Sequence, residues 1–76
     1  MTAVTEKRVN AALRRAGVPI EVWTQNGYRS IRTLDPAGPE VESLYVCYWH
    51  QMPLSGWVKA ATANYEMAVE RKARGF

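Results

Sequence analysis

A chain of 76 residues has room for one small domain, and its margin of stability is thin because few side chains can be fully buried. The composition, 47% hydrophobic, 11% aromatic and 22% charged, fits a folded globular chain better than a disordered one. Ten Lys and Arg against seven Asp and Glu give a net charge of +3, less than a dedicated nucleic-acid-binding protein usually carries. We therefore expect a single α+β domain over residues 1–76.

Cysteine content and hydropathy indicate the cellular compartment in which the protein is expected. Cys47 is the single cysteine, so an intramolecular disulfide cannot form, and a reducing environment is the natural setting. No apolar run approaches the roughly twenty residues of a membrane span, and the N-terminus lacks the apolar region of a signal peptide. These features predict a soluble cytoplasmic protein without membrane contact.

The first predicted element is an amphipathic helix from Thr5 to Ala16. Thr5 can cap its N-terminus, and Gly17 followed by Pro19 prevents its continuation. The apolar positions recur at helical spacing: Val9, Ala12, Leu13 and Ala16.

A β-hairpin is predicted from Ile20 to Leu34, because Asn26-Gly27 lies between two β-rich runs. Both central residues of a type I′ turn need positive φ, which Gly adopts freely and Asn tolerates. The turn sets a register in which Gln25 faces Tyr28. The further pairs are Thr24 with Arg29, Trp23 with Ser30, Val22 with Ile31, and Glu21 with Arg32. Alternation then assigns Ile20, Val22 and Ile31 to the core, and Glu21, Trp23, Tyr28 and Arg32 to a second face.

A third strand is predicted after the turn-rich loop Asp35 to Pro39. It begins at Val41 or Ser43, ends at Trp49, and is dense in β-forming residues. Both of its faces are apolar, so one set of side chains covers the core and the other is exposed or meets a partner. The two sets are Leu44, Val46 and Tyr48, and Tyr45, Cys47 and Trp49.

The last predicted element is a long helix that Ser55 caps and that runs to about Arg74, where Gly75 stops it. Its apolar face comprises Trp57, Val58, Ala61, Tyr65, Ala68 and Val69, and its opposite side Lys59, Thr62, Glu66 and Glu70. Glu70 and Arg74 are spaced for an i, i+4 ion pair. The expected architecture is helix, three-stranded antiparallel meander, helix, with both helices on one face of the sheet.

Residues that could support catalysis are sparse, and we expect no enzyme, no cofactor and no small-molecule substrate. His50 is the only histidine, and in an extended strand its side chain would point away from that of Cys47. One His and one Cys fall short of the ligands of a metal site. The carboxylates of Asp35, Glu40 and Glu42 lie in or beside the predicted loop, as expected of a solvated acidic segment.

Two kinds of binding surface are compatible with the sequence. An aromatic sheet face with an arginine has the composition enriched at protein interfaces, and its candidate residues are Trp23, Tyr28, Arg32, Tyr45 and Trp49. The alternative is nucleic-acid binding, in which these aromatics stack on bases and basic residues contact phosphates. The basic candidates are Lys7, Arg8, Arg14 and Arg15, which are equally compatible with a solvated helix face.

Several motifs resemble those of short uncharacterised proteins encoded by phages and prophages of Gram-negative bacteria. They are the run Val9 to Val22 with its Ala-Gly-Val-Pro helix end, Asn26-Gly27-Tyr28, the strand Ser43 to Tyr48, and Gly56-Trp57-Val58. The resemblance implies the fold, a phage or prophage origin and a bacterial host cytoplasm, and it carries no catalytic signature. We therefore expect a small non-enzymatic accessory protein that binds a protein partner through the sheet face, or a homodimer.

Overall fold

The computed structural model describes residues 3–25, 28–41, 43 and 48–75, with only the backbone of Gln25 and Tyr28. The elements are helix α1 (Glu6–Arg15), strands β1 (Ile20–Gln25) and β2 (Tyr28–Thr33), a 3₁₀ helix (Trp49–Gln51) and helix α2 (Leu54–Ala73). The described part of the chain is thus an α+β structure with two helices and a two-stranded antiparallel sheet.

The hairpin has the predicted register. Gln25 faces Tyr28, and the pairing continues in step to Ile20 opposite Thr33. Leu34 extends the hairpin by one further hydrogen bond, because its N–H donates to the Pro19 carbonyl at 2.9 Å. The Asn26-Gly27 turn that predicted this register lies outside the described residues.

The predicted third strand falls mostly on residues 44–47, which are outside the described residues, and its predicted end at Trp49 is wrong. Trp49 begins the 3₁₀ helix, and Tyr48 directly before it is extended. The turn is closed twice: the Tyr48 N–H donates to Gln51 Oε1 at 2.8 Å, and the Gln51 N–H donates to the Tyr48 carbonyl at 3.2 Å. This local hydrogen bonding competes with strand formation.

Helix α1 begins and ends as predicted. The Arg8 N–H donates to Thr5 Oγ1 at 3.3 Å, which makes Thr5 the N-cap. At the other end Gly17 has φ +76°, and the Val18 N–H donates to the Leu13 carbonyl at 3.0 Å in the manner of a Schellman motif. Of the predicted apolar positions Val9 and Leu13 are buried, Ala12 is half-buried, and Ala16 is exposed.

Helix α2 begins earlier than predicted and ends as predicted. The Trp57 N–H donates to the Pro53 carbonyl at 3.1 Å, so Pro53 occupies the N-cap position and Ser55 lies inside the first turn instead of capping it. Gly75, with φ +83°, follows the C-terminal end. The predicted Glu70–Arg74 ion pair is present at 2.7 Å.

One hydrophobic core joins both helices to the hairpin. Trp57 is fully buried at its centre, while Val69, which was predicted to lie on the apolar face of α2, is 41% exposed. Helix α1 packs against both β1 and α2. The buried core residues are Val9 and Leu13 from α1, Ile20, Val22 and Ile31 from the hairpin, Val41, and Trp57, Ala61 and Ala68 from α2.

Asn10 of α1 attaches that helix to the edge of the sheet. Its Oδ1 accepts the Val22 N–H at 2.7 Å, and its Nδ2 donates to the Val22 carbonyl at 2.9 Å. Both backbone groups of Val22 point at Asn10 and therefore away from β2, as in a non-hydrogen-bonded pair of an antiparallel ladder. The side-chain amide replaces a neighbouring strand at this residue and closes this part of the β1 edge.

We predict that Asn10→Ala lowers the free energy of unfolding by about 2 kcal/mol, because it leaves two partly buried backbone groups of Val22 without their partner. Urea unfolding of the variant measures the change. The exposed neighbour Lys7→Ala is the control on the same helix and should stay within about 0.5 kcal/mol of the parent. Equal stability of Asn10→Ala and Lys7→Ala would show that the amide does not secure α1.

Candidate interaction surfaces

Alternation along the strands divides the hairpin into two faces. One, the core face, carries Ile20, Val22 and Ile31. The second face, turned away from the core, carries the described side chains of Glu21, Trp23, Ser30 and Arg32 and, by register, positions 25 and 28.

Trp23 and Arg32 form the centre of the second face. Trp23 is 37% exposed, and the Arg32 Cζ lies 5.7 Å from the centroid of its ring, which is within the range of a cation–π contact. The Arg32 guanidinium also makes the predicted ion pair with Glu21 across the strands. The Trp23 indole is therefore exposed, and it contacts an arginine that is also paired with Glu21.

The 35–39 loop brings the chain back to an open cavity beside the second face. Asp35 turns this loop back, because its Oδ1 accepts the Ala37 N–H at 2.9 Å and its carbonyl accepts the Gly38 N–H at 2.8 Å. An open cavity of about 430 Å³ lies between Gly38–Val41 on one side and Trp23, Ser30 and Arg32 on the other. Ser30 is buried and lines this cavity, whereas Trp23 and Arg32 are exposed.

Trp49 lies on the other side of the hairpin, away from Trp23. Its ring centroid is 4.8 Å from that of Trp57, and its carbonyl accepts the Trp57 Nε1–H at 2.7 Å. The Arg29 guanidinium lies over the Trp49 ring at 4.8 Å, and the register places Arg29 on the core face. Of the predicted interface residues whose side chains are described, the structure thus brings Trp23 and Arg32 together and places Trp49 against the core. Tyr45 lies outside the described residues, and for Tyr28 only the backbone position on the second face is described.

The four basic candidates of α1 share one side of the helix. At 100° per residue, positions 7, 8, 14 and 15 fall within an arc of about 120° that is centred on Ala11, opposite the buried Val9 and Leu13. All four side chains are exposed, and within the described part of the chain none of them forms a salt bridge. We call Lys7, Arg8, Arg14 and Arg15 the cationic face of α1.

Two structural residues were missed in the sequence. Arg29 is only 6% exposed, and the predicted register already contained the signal, since it sets Arg29 opposite Thr24 on the side of Val22 and Ile31. Asn10 had no comparable signal, because its contact with Val22 depends on how α1 packs.

The remaining chemistry of the described residues is limited. Among them, no group of three or more His, Cys, Asp and Glu side chains could hold a metal ion. His50 is exposed, and its ring stacks on Tyr48 with centroids 5.4 Å apart. Cys47 lies outside the described residues.

Comparisons with known proteins yield no relative. The chain matches no protein-family model, and no curated protein or solved structure is significantly similar to it. The resemblance to phage-encoded proteins therefore stays a prediction. Neither helix of the described chain is long and apolar enough to cross a membrane.

The different positions of the two tryptophans predict different effects on stability. Trp49→Ala should lower the free energy of unfolding by about 3 kcal/mol, because the change opens the core beside Trp57. Trp23→Ala should cost about 1 kcal/mol, because it removes only cross-strand contacts on an accessible face. Urea unfolding measures both, and Trp49→Phe serves if Trp49→Ala does not fold. An equal cost at the two positions would contradict the division into core and accessible face.

Proposed function

We propose that the protein is a small non-enzymatic interaction protein that binds a protein partner, or a second copy of itself, through the second face of the hairpin. The observation that carries the proposal is the exposed Trp23 beside Arg32. Trp and Arg are the residues most enriched among those that dominate binding energy at protein interfaces. In a core this small, an indole that contributed only to stability would gain more from burial.

The geometry favours binding because the surface is preorganised. Arg32 is paired with Glu21 and contacts the Trp23 ring, which reduces the side-chain freedom that is lost when a partner docks. An indole also presents a large contact area with only two side-chain torsions to restrict. The mechanism would be occlusion, in which the docked protein covers a surface that its partner needs for another contact.

Three finer predictions from the sequence belong to this proposal. The third strand would pair with β2, because Ile31 faces Val22 and its N–H and carbonyl therefore also point away from β1. Such a strand would widen the sheet beside Trp23 and add aromatic surface. A phage or prophage origin and action in the bacterial cytoplasm remain implied by the resemblance alone.

The first test is the solution mass, measured by light scattering over a concentration series at low and at high salt. If the second face mediates self-association, a dimer should persist at high salt, because apolar contacts respond little to ionic screening. Trp23→Ala should then weaken the dimer at least tenfold. Met67→Ala is the matched control, since Met67 is 53% exposed on α2 and away from the hairpin.

If light scattering shows a monomer at all concentrations, the next test is for a different protein as the partner. The protein would carry a photo-crosslinking residue at position 43, beside the cavity, and would be irradiated in host lysate with nuclease present. The crosslinked adducts would then be compared for the parent, Trp23→Ala and Met67→Ala. A defined adduct that depends on Trp23 but not on Met67 supports the proposal. A monomer without a Trp23-dependent adduct contradicts it.

A further inference from the structure

Unlike the four side chains of the cationic face of α1, the other basic residues of the described chain make contacts within the protein, with the exception of the exposed Lys59 on α2. Near the end of α2, the Lys72 ammonium donates to the Ala37 carbonyl, and Arg74 is paired with Glu70. Arg29 and Arg32 each contact a tryptophan. The four side chains on α1 have no such internal contact among the described residues, and all four are exposed.

We propose that this face binds the sugar-phosphate backbone of duplex nucleic acid without reading its sequence. Lys7 and Arg8 form one pair of cations and Arg14 and Arg15 a second, seven residues further on. At 1.5 Å per residue the pairs are about 10.5 Å apart along the helix axis, close to the roughly 12 Å width of the major groove of B-DNA. The two pairs can therefore contact phosphates on both sides of that groove, and the small Ala11 between them leaves room for close approach.

The position of the aromatic residues favours a duplex over a single strand. Binding of single strands without sequence preference combines phosphate contacts with bases stacked on aromatic rings. Here α1 packs on the core side of the hairpin, whereas Trp23 lies on the second face. The described surface around the cations carries no aromatic ring on which a base could stack, so the contact is with phosphate alone.

A membrane fits this face less well. Helices that lie in a membrane interface insert an apolar face between the lipid headgroups. The apolar residues of α1, Val9 and Leu13, are fully buried in the core, and its solvent side offers only charges and Ala11. Anionic vesicles are therefore a comparison arm in the test.

The test is fluorescence anisotropy of a labelled 20-base-pair DNA duplex, titrated with the protein at salt concentrations from 50 to 200 mM. Release of counterions from up to four phosphates predicts a log–log slope of about −3.6, so the affinity should fall roughly 100-fold over this range. A single strand of the same length should bind no more tightly than the duplex.

The informative variant is Lys7→Gln/Arg8→Gln. Cations at a helix N-terminus oppose the helix dipole, so their removal does not destabilise the fold. We expect at least a tenfold weaker affinity at 50 mM salt and a slope shallower by about 1.8. The matched control, Lys59→Gln/Arg74→Gln, removes the same formal charge from α2 and should change the affinity less than threefold, and Trp23→Ala should not change it.

Four outcomes would overturn the proposal. They are no binding of the duplex at 50 mM salt, equal losses in the two double variants, tighter binding of the single strand with a dependence on Trp23, and binding of phosphatidylserine vesicles in preference to the duplex. The two proposals use different residues, and Trp23→Ala tests only the protein-binding surface. A duplex-binding proposal that fails would therefore leave the proposed protein-binding function standing, and a failure of protein binding would leave the duplex-binding proposal standing.

Discussion

The paired hydrogen bonds between the Asn10 amide and Val22 are the constraint that fixes where α1 meets the hairpin. They join the middle of α1 to the edge of β1, and a helix held there turns Val9 and Leu13 into the core. The same contact satisfies two backbone groups that an edge strand would otherwise present to other chains. Because Asn10 satisfies the outward backbone groups of Val22 on β1, the outward N–H and carbonyl of Ile31 on β2 are the ones that can pair with a further strand.

The positions of both candidate surfaces follow from this attachment. With Val9 and Leu13 facing inward, helical geometry directs positions 7, 8, 14 and 15 outward, which creates the cationic face. Because α1 packs on the core side of the hairpin, it does not cover Trp23 and Arg32 on the second face. The two surfaces lie on different sides of the sheet and share no residue, so each can be altered by substitutions outside its counterpart.

Several features that depend on local chemistry were predictable from the sequence, although the Ser55 cap and the turn at Trp49 were not, and contacts between separate elements could not be predicted. The Thr5 cap, the Gly17 stop and the hairpin register each follow from a few adjacent residues whose backbone preferences agree. Trp49 was misplaced because a β-rich run gives no sign that Gln51 will close a turn on Tyr48. For the candidate site, alternation placed Trp23 and Arg32 together correctly. It could not show that Trp49 would pack on Trp57, since that contact joins separate elements across the core.

The buried Arg29 shows how so short a chain completes its core. At the turn end of the hairpin, no aliphatic residue follows Val22 and Ile31 on the core face, and the register puts Thr24 and Arg29 there. The aliphatic stem of an arginine can cover apolar surface while its guanidinium remains over an aromatic ring. Trp49 supplies that ring and is in turn supported by Trp57, whose indole N–H is satisfied by the Trp49 carbonyl. An arginine that would otherwise add to the surface charge is thereby part of the core.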